Sequence, residues 1–124
     1  MLKLSKGEDY DAILALKNID FGTVHLYTDS DKPGDGPAYG LQWLKDHNAA
    51  SIAANKPMIV EEMGVNRTSP DLSVPDVLNE YQSYILSAPA IQGSLDWDSL
   101  NIDAAQCPLN NNPYALCTSD PFYT

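Results

Sequence analysis

The stretch Lys56-Pro57-Met58-Ile59-Val60-Glu61-Glu62-Met63-Gly64 decides how the rest of the chain is read. A mostly apolar run opens at a proline and closes at two adjacent carboxylates, a bulky residue and a glycine. Short runs bounded in this way read as buried strands, although periodicity alone leaves a helix segment open. Side chains alternate along a strand, so Glu61 and Glu62 are expected on opposite faces. In a barrel, one carboxylate would enter the mouth and the other would meet the helix layer. On these residues alone, a strand that simply ends in two solvated glutamates fits as well.

The flanks repeat the pattern. Upstream, Phe21-Gly22-Thr23-Val24-His25-Leu26-Tyr27 reads as a strand with Thr23, His25 and Tyr27 on one face and Val24 and Leu26 on the other. Tyr10, Ile13 and Leu14 recur at helical spacing, which predicts a short helix over residues 8–17. Pro37 suits a first helical position, and Leu41, Leu44 and Ile52 carry an apolar stripe as far as about Ala54. Downstream, Pro75 opens a helix in which Val77, Tyr81, Tyr84 and Ile85 share a face, and Pro89 ends it. Ile91-Gln92-Gly93-Ser94-Leu95-Asp96-Trp97 then forms a third strand, with irregular structure expected from Asp98 onward.

Composition narrows the function. At 124 residues the chain makes one domain, 1–124, organised over residues 8–100 and followed by an irregular tail over 101–124. Its formal charge is -10 with seven Lys or Arg, none clustered, which excludes nucleic acid and an anionic membrane surface as partners. No apolar run reaches the roughly 18 residues needed to span a bilayer. Residues 1–7 lack the apolar centre of a signal peptide, so either the chain is not secreted as it stands or its natural start lies elsewhere. Cys107 and Cys117 lie in a Pro- and Asn-rich tail without a nearby His, which disfavours a metal site. A local disulfide between them is the expected reading in an oxidising compartment, with two free thiols as the alternative. Asn66-Arg67-Thr68 fits the N-glycosylation acceptor pattern. Asp29, Asp31 and Asp35 lack the spacing of a calcium loop and read as a solvated acidic loop. Nothing in the pattern calls for a cofactor.

Helices and strands that alternate through three units argue for an α/β fold with parallel strands and covering helices. Chemistry in such sheets sits at the carboxyl ends of the strands. Those ends carry His25 and Tyr27, then Glu62, then Trp97. A carboxylate, an imidazole, a phenol and an indole on one rim suit a sugar site. Aromatic rings would supply a stacking platform, and the carboxylate would attack or stabilise an oxocarbenium-like centre. Each residue alone has a plainer reading, as a structural histidine or a core tryptophan.

Residues 20–27 (Asp-Phe-Gly-Thr-Val-His-Leu-Tyr), 40–47 (Gly-Leu-Gln-Trp-Leu-Lys-Asp-His), 56–64 and 93–97 (Gly-Ser-Leu-Asp-Trp) together resemble fungal β-1,4-mannanases of glycoside hydrolase family 5. The resemblance runs over about residues 8–100 in the family's order and spacing. It implies a partial (β/α)8 TIM barrel, its last three strands. It implies further that Glu62 is the catalytic nucleophile of a retaining glycosidase and that Tyr27 orients it. On the same basis His25 and Trp97 are substrate-binding, Glu61 is the family's other glutamate, and His47 is structural. The implied partner is a mannan-like β-linked polysaccharide or oligosaccharide, and the implied location extracellular.

The departures shape the functional expectation. A whole barrel takes about 250 residues, and the family's general acid/base follows an asparagine on a strand upstream of those present here. Asn79-Glu80 has the right letters but falls within the predicted third helix. Thr28 stands where the family usually has Pro, Met63 where it prefers an aromatic, and Asp96 and Asp98 flank Trp97. Three strands would expose two edges and an inner face, so completion by a homo-oligomer, by further barrel strands or by local rearrangement is expected. Two functions follow: a mannan-degrading hydrolase segment with Glu62 as nucleophile, or a non-catalytic relative that binds carbohydrate or assembles.

Overall fold

The computed structural model describes residues 9–28, 36–100, 111–118 and 120. Its centre is a three-stranded parallel sheet in the order β1 (Gly22–Tyr27), β2 (Met58–Gly64), β3 (Ile91–Asp96). Helix α1 (Tyr10–Leu14) precedes β1, and α2 (Gly36–Ala54) and α3 (Val74–Ser87) fill the β1–β2 and β2–β3 connections. The alternating pattern predicts parallel strands with covering helices, and the arrangement is the partial TIM barrel that the family resemblance implies.

Each strand buries one side. Val24 and Leu26 of β1, Met58, Val60 and Met63 of β2, and Ile91 of β3 are all buried, and they form one core with Trp43 and Leu44 of α2 and Val77, Tyr81 and Ile85 of α3. Burying a Leu, Met or Val side chain contributes roughly 1.5–3 kcal/mol, so this single layer dominates the stability. α3 matches its sequence pattern closely: Val74, Val77, Tyr81 and Ile85 are its buried residues. Tyr84 lies at the core margin.

α2 does not bury the stripe expected of it. Leu44 is buried, but Ile52 is half-exposed, and the inward face is Gly40, Trp43, Leu44, His47, Asn48 and Ser51. Specific hydrogen bonds allow polar residues to go inside. Ser51 Oγ pairs with Tyr10 Oη at 2.9 Å, and Asn48 Oδ1 accepts from the Ala90 N–H at 3.1 Å. Gly40 permits close approach here: a Cβ would collide with the Tyr81 hydroxyl and the Thr28 methyl.

The end of α2 shows local chemistry setting a boundary. Asn55 adopts φ 54°, the left-handed region that asparagine tolerates. Its N–H donates to Ile52 O and that of Lys56 to Ser51 O, both at 3.0 Å, the paired bonds of a Schellman cap. The Lys56 ammonium then donates to Leu14 O at 2.5 Å and Leu16 O at 2.7 Å. Those carbonyls are taken by the ammonium, and α1 stops at Leu14, short of the predicted 17.

Beyond β3, where irregular structure is expected from Asp98 onward, two short strands lie among the described residues. β4 (Ser99–Leu100) pairs in parallel with β5 (Leu116–Cys117). Among the described residues, β1 and β3 are outer strands, and the sheet face opposite the helices is open, with Phe21, Leu95 and Trp97 largely exposed.

Candidate active site

The rim at the carboxyl ends of the strands depends on one irregularity. Val24 pairs with Val60, but His25 pairs with Glu62, so β2 carries one extra residue, Glu61. This is a β-bulge, and it switches the buried positions of β2 from Val60 to Met63. The expectation that Glu61 and Glu62 diverge is therefore overturned. Both carboxylates reach the same imidazole: His25 Nε2 is 3.3 Å from Glu61 Oε2, and His25 Nδ1 is 3.4 Å from Glu62 Oε2. The bulge has broken the alternation on which that expectation rested.

Tyr27 faces the same carboxylate from β1, its hydroxyl donating to Glu62 Oε2 at 2.7 Å. That is a short, charge-assisted bond to a partly buried acceptor. Burial pushes the Tyr27 phenol well above the ordinary tyrosine range, and the bond to Glu62 adds to this. The phenol remains a donor at any physiological pH. Trp97, directly after β3, donates its backbone N–H to Met63 O at 2.8 Å, which ties it to the strand that carries Glu62. Its side chain is 45% exposed. The strand ends thus bring His25 and Tyr27 each against Glu62, with Trp97 following at the end of the next strand.

Residues that sequence reasoning missed complete the rim. Tyr114 packs edge-on against Tyr27, centroids 4.9 Å apart at 70°. Gly64 is the floor beneath this pair, since a Cβ there would lie 2.7 Å from Tyr27 Cε1 and 3.1 Å from Tyr114 Cδ1. No periodic signal marks Tyr114, which lies in a Pro/Asn-rich segment distant in sequence from its partner. Cys107, expected to pair with Cys117, lies outside the described residues, as do Asp29, Asp31 and Asp35; Cys117 itself is disulfide-bonded. Glu80 is exposed on α3, away from the face that packs on the sheet.

His47 takes no part in this rim. It is fully buried, with the Trp43 ring 3.8 Å and the Tyr10 ring 4.8 Å away, and Nδ1 is 2.8 Å from Trp43 O. A groove of about 660 Å³ between α1 and α2 is lined mainly by alanine methyls with Asp11 and Asp46, and offers no comparable chemistry. No group of three or more His, Cys, Asp or Glu among the described residues could hold a metal ion. No helix among them is long and apolar enough to cross a membrane.

Comparison with known proteins agrees with this fold. The mannan endo-1,4-beta-mannosidase A of Emericella nidulans is 39% identical over 93 residues, covering 75% of this chain and 22% of the relative. The endo-1,4-beta-mannanase of Rhizomucor miehei superposes with a TM-score of 0.70 at 33% identity, over 93% of this chain and 30% of that one. The chain matches part of a glycoside hydrolase family 5 mannanase. The Rhizomucor miehei family 5 mannosidase shares the fold at a TM-score of 0.69 and 18% identity, over 97% of this chain and 39% of its own. The chain spans about a quarter of the length of the curated mannanases it matches. No protein-family model matches it. Placed in the family 5 barrel, the open sheet face corresponds to the barrel interior, and the Tyr27–Glu62–Trp97 rim to its mouth.

Proposed function

We propose that this chain is the nucleophile-bearing part of a retaining β-mannan hydrolase. The observation that carries the reading is the 2.7 Å bond from Tyr27 Oη to Glu62 Oε2, at the carboxyl ends of adjacent parallel strands. Glu62 attacks the anomeric carbon of a β-linked mannosyl unit. The C1–O bond to Glu62 forms as the bond to the leaving oxygen breaks, and water later releases the sugar. Tyr27 holds the attacking carboxylate in one orientation. His25 and the exposed indole of Trp97 bind sugar, the indole as a stacking platform. Secretion and a disulfide between Cys107 and Cys117 belong to the same reading.

A retaining mechanism also needs a carboxylic acid about 5 Å from the nucleophile to protonate the leaving group. The family resemblance sets that acid on a strand upstream of β1. It reaches Glu62 from another segment or another subunit. The exposure of Trp97 favours a second reading, in which the chain only binds β-linked oligosaccharide.

A substrate that needs no acid tests the nucleophile alone. 2,4-Dinitrophenyl 2-deoxy-2-fluoro-β-mannoside loses dinitrophenolate unprotonated and leaves a slowly hydrolysed glycosyl ester. Mass spectrometry of the digested protein is expected to find the fluoromannosyl adduct on the peptide that holds Glu62, with none in Glu62→Gln. An adduct elsewhere, or none, sinks the hydrolase reading. Oligosaccharide affinity lost in Trp97→Ala would then support binding alone.

A further inference from the structure

The segment over residues 111–118, with Asp120, lies against the rim through a set of polar bonds, beside buried Ala115 and Cys117 and Leu116 at the core margin. Arg67, in the loop after β2, is the hub. Its backbone N–H donates to Pro113 O at 2.8 Å, and Nη1 donates to Ala115 O at 2.8 Å and to Cys117 Sγ at 3.3 Å. Nη2 donates to Asp120 Oδ1 at 2.8 Å, while Asp120 Oδ2 accepts from the Cys117 N–H at 2.8 Å. Asp98 holds the same segment from the end of β3, accepting from Leu116 N at 2.7 Å and from Asn112 Nδ2 at 2.8 Å. The segment is thus pinned to the ends of both β2 and β3. The ring it presents to the site is Tyr114.

Tyr114 and Tyr27 hold one another in place. Its ring lies edge-on to Tyr27, both rings rest over Gly64, and the Tyr27 hydroxyl is spent on Glu62. A phenol on a surface strand swings among rotamers unless packing removes them. Here one side is blocked by the Gly64 backbone and the other by Tyr114.

We propose that Tyr114, clamped by Arg67 and Asp98, is a positioning residue that acts through Tyr27 to hold the Glu62 carboxylate in its attacking orientation. The proposal rests on the reading of Glu62 as nucleophile. It adds that the C-terminal segment is part of the site's machinery. Arg67 suits the clamp because its planar fork serves several acceptors at once, which a lysine does not.

The test uses two readouts on the purified chain. One is the rate of Glu62 labelling by the dinitrophenyl fluoromannoside. The other is the ¹³Cζ resonance of Tyr27, assigned with Tyr27→Phe and calibrated with Glu62→Gln, which reports the hydroxyl's hydrogen bond whether or not the site reacts. Tyr114→Ala is expected to move the Tyr27 resonance toward its Glu62→Gln position and to slow labelling about two- to tenfold, the range of an aromatic pair. Tyr114→Phe, which keeps the ring, restores both. With Tyr27→Phe already present, Tyr114→Ala costs no further rate, because its effect passes through the missing hydroxyl. An unmoved Tyr27 resonance in Tyr114→Ala, or an equal further loss in the Tyr27→Phe background, overturns the proposal. If Tyr114→Ala fails to fold, Arg67→Lys gives the same two readouts with a smaller shift in the same direction. If the parent chain does not label at all, the nucleophile reading falls, and the Tyr27 resonance alone still decides the brace.

Discussion

Tyr27 and Thr28 are neighbours with opposite hydrogen-bonding fates. The Tyr27 hydroxyl has a carboxylate at 2.7 Å, whereas the Thr28 hydroxyl is fully buried with no partner among the described residues. A buried hydroxyl without a partner costs about 1–3 kcal/mol in lost hydration. Valine has nearly the shape of threonine and lacks that oxygen, so Thr28→Val keeps the methyl that abuts Gly40 and removes the penalty. The expected outcome is a gain of about 1 kcal/mol, read as a rise in Tm of about 3–5 °C by calorimetry. An unchanged or lower Tm would mean that the hydroxyl is satisfied in solution. The Glu62 nucleophile reading is the other claim at this scale, and adduct formation abolished by Glu62→Gln is its expected outcome.

At the scale of elements, α2 shows both how far sequence patterning reaches and where it stops. Its length and the parallel order of its flanking strands followed from Pro, Gly and alternation, which are local signals, whereas its Asn55 cap was not announced by them. Tyr27, Glu62 and Trp97 were legible for the same reason, since strand ends are where side chains gather. The buried face of α2 was not legible, because His47, Asn48 and Ser51 go inside only for partners some 40 residues away or within the helix itself. The bulge at Glu61 and the Arg67–Asp120 clamp escaped likewise: each is a pairing between distant segments, with no periodicity to announce it. His47 also carries a pH consequence. Burial lowers its folded pKa below the usual 6.5, overriding the Trp43 carbonyl and the nearby Asp46 and Asp11, which act the other way. As pH falls through 6.5 the unfolded chain takes up a proton that the folded chain refuses, so this term's stability is complete above 6.5 and lost below it. Tm measured from pH 8 down to 5 should therefore fall on the acid side. His47→Gln should flatten that fall even if its Tm is lower throughout. A slope identical in the two proteins would exclude His47 as its source.

At the scale of the whole molecule the unresolved demand is the open side of the sheet. Outer strands β1 and β3 present unpaired backbone along their far edges among the described residues, and the face away from the helices carries Phe21, Leu95 and Trp97 at 51%, 60% and 45% exposure. Barrels bury such a face by closing on themselves, and an open edge is a template for pairing. Part of this rim also has to stay accessible if Glu62 is to meet a sugar. Leu95 lies on β3 and Phe21 just before β1, away from the Glu62 rim, and the proposed reading seats a second copy on them. The homo-oligomer belongs to the proposed reading, and sedimentation velocity over micromolar concentrations checks it. Self-association that Leu95→Asp weakens by at least about tenfold is expected, since a buried unpaired carboxylate costs well over the 1.4 kcal/mol that factor represents. A monomer at every concentration, in parent and variant alike, would show that the face is left bare or covered by the chain's own segments. Activity would then have to come from a partner that supplies the remaining strands.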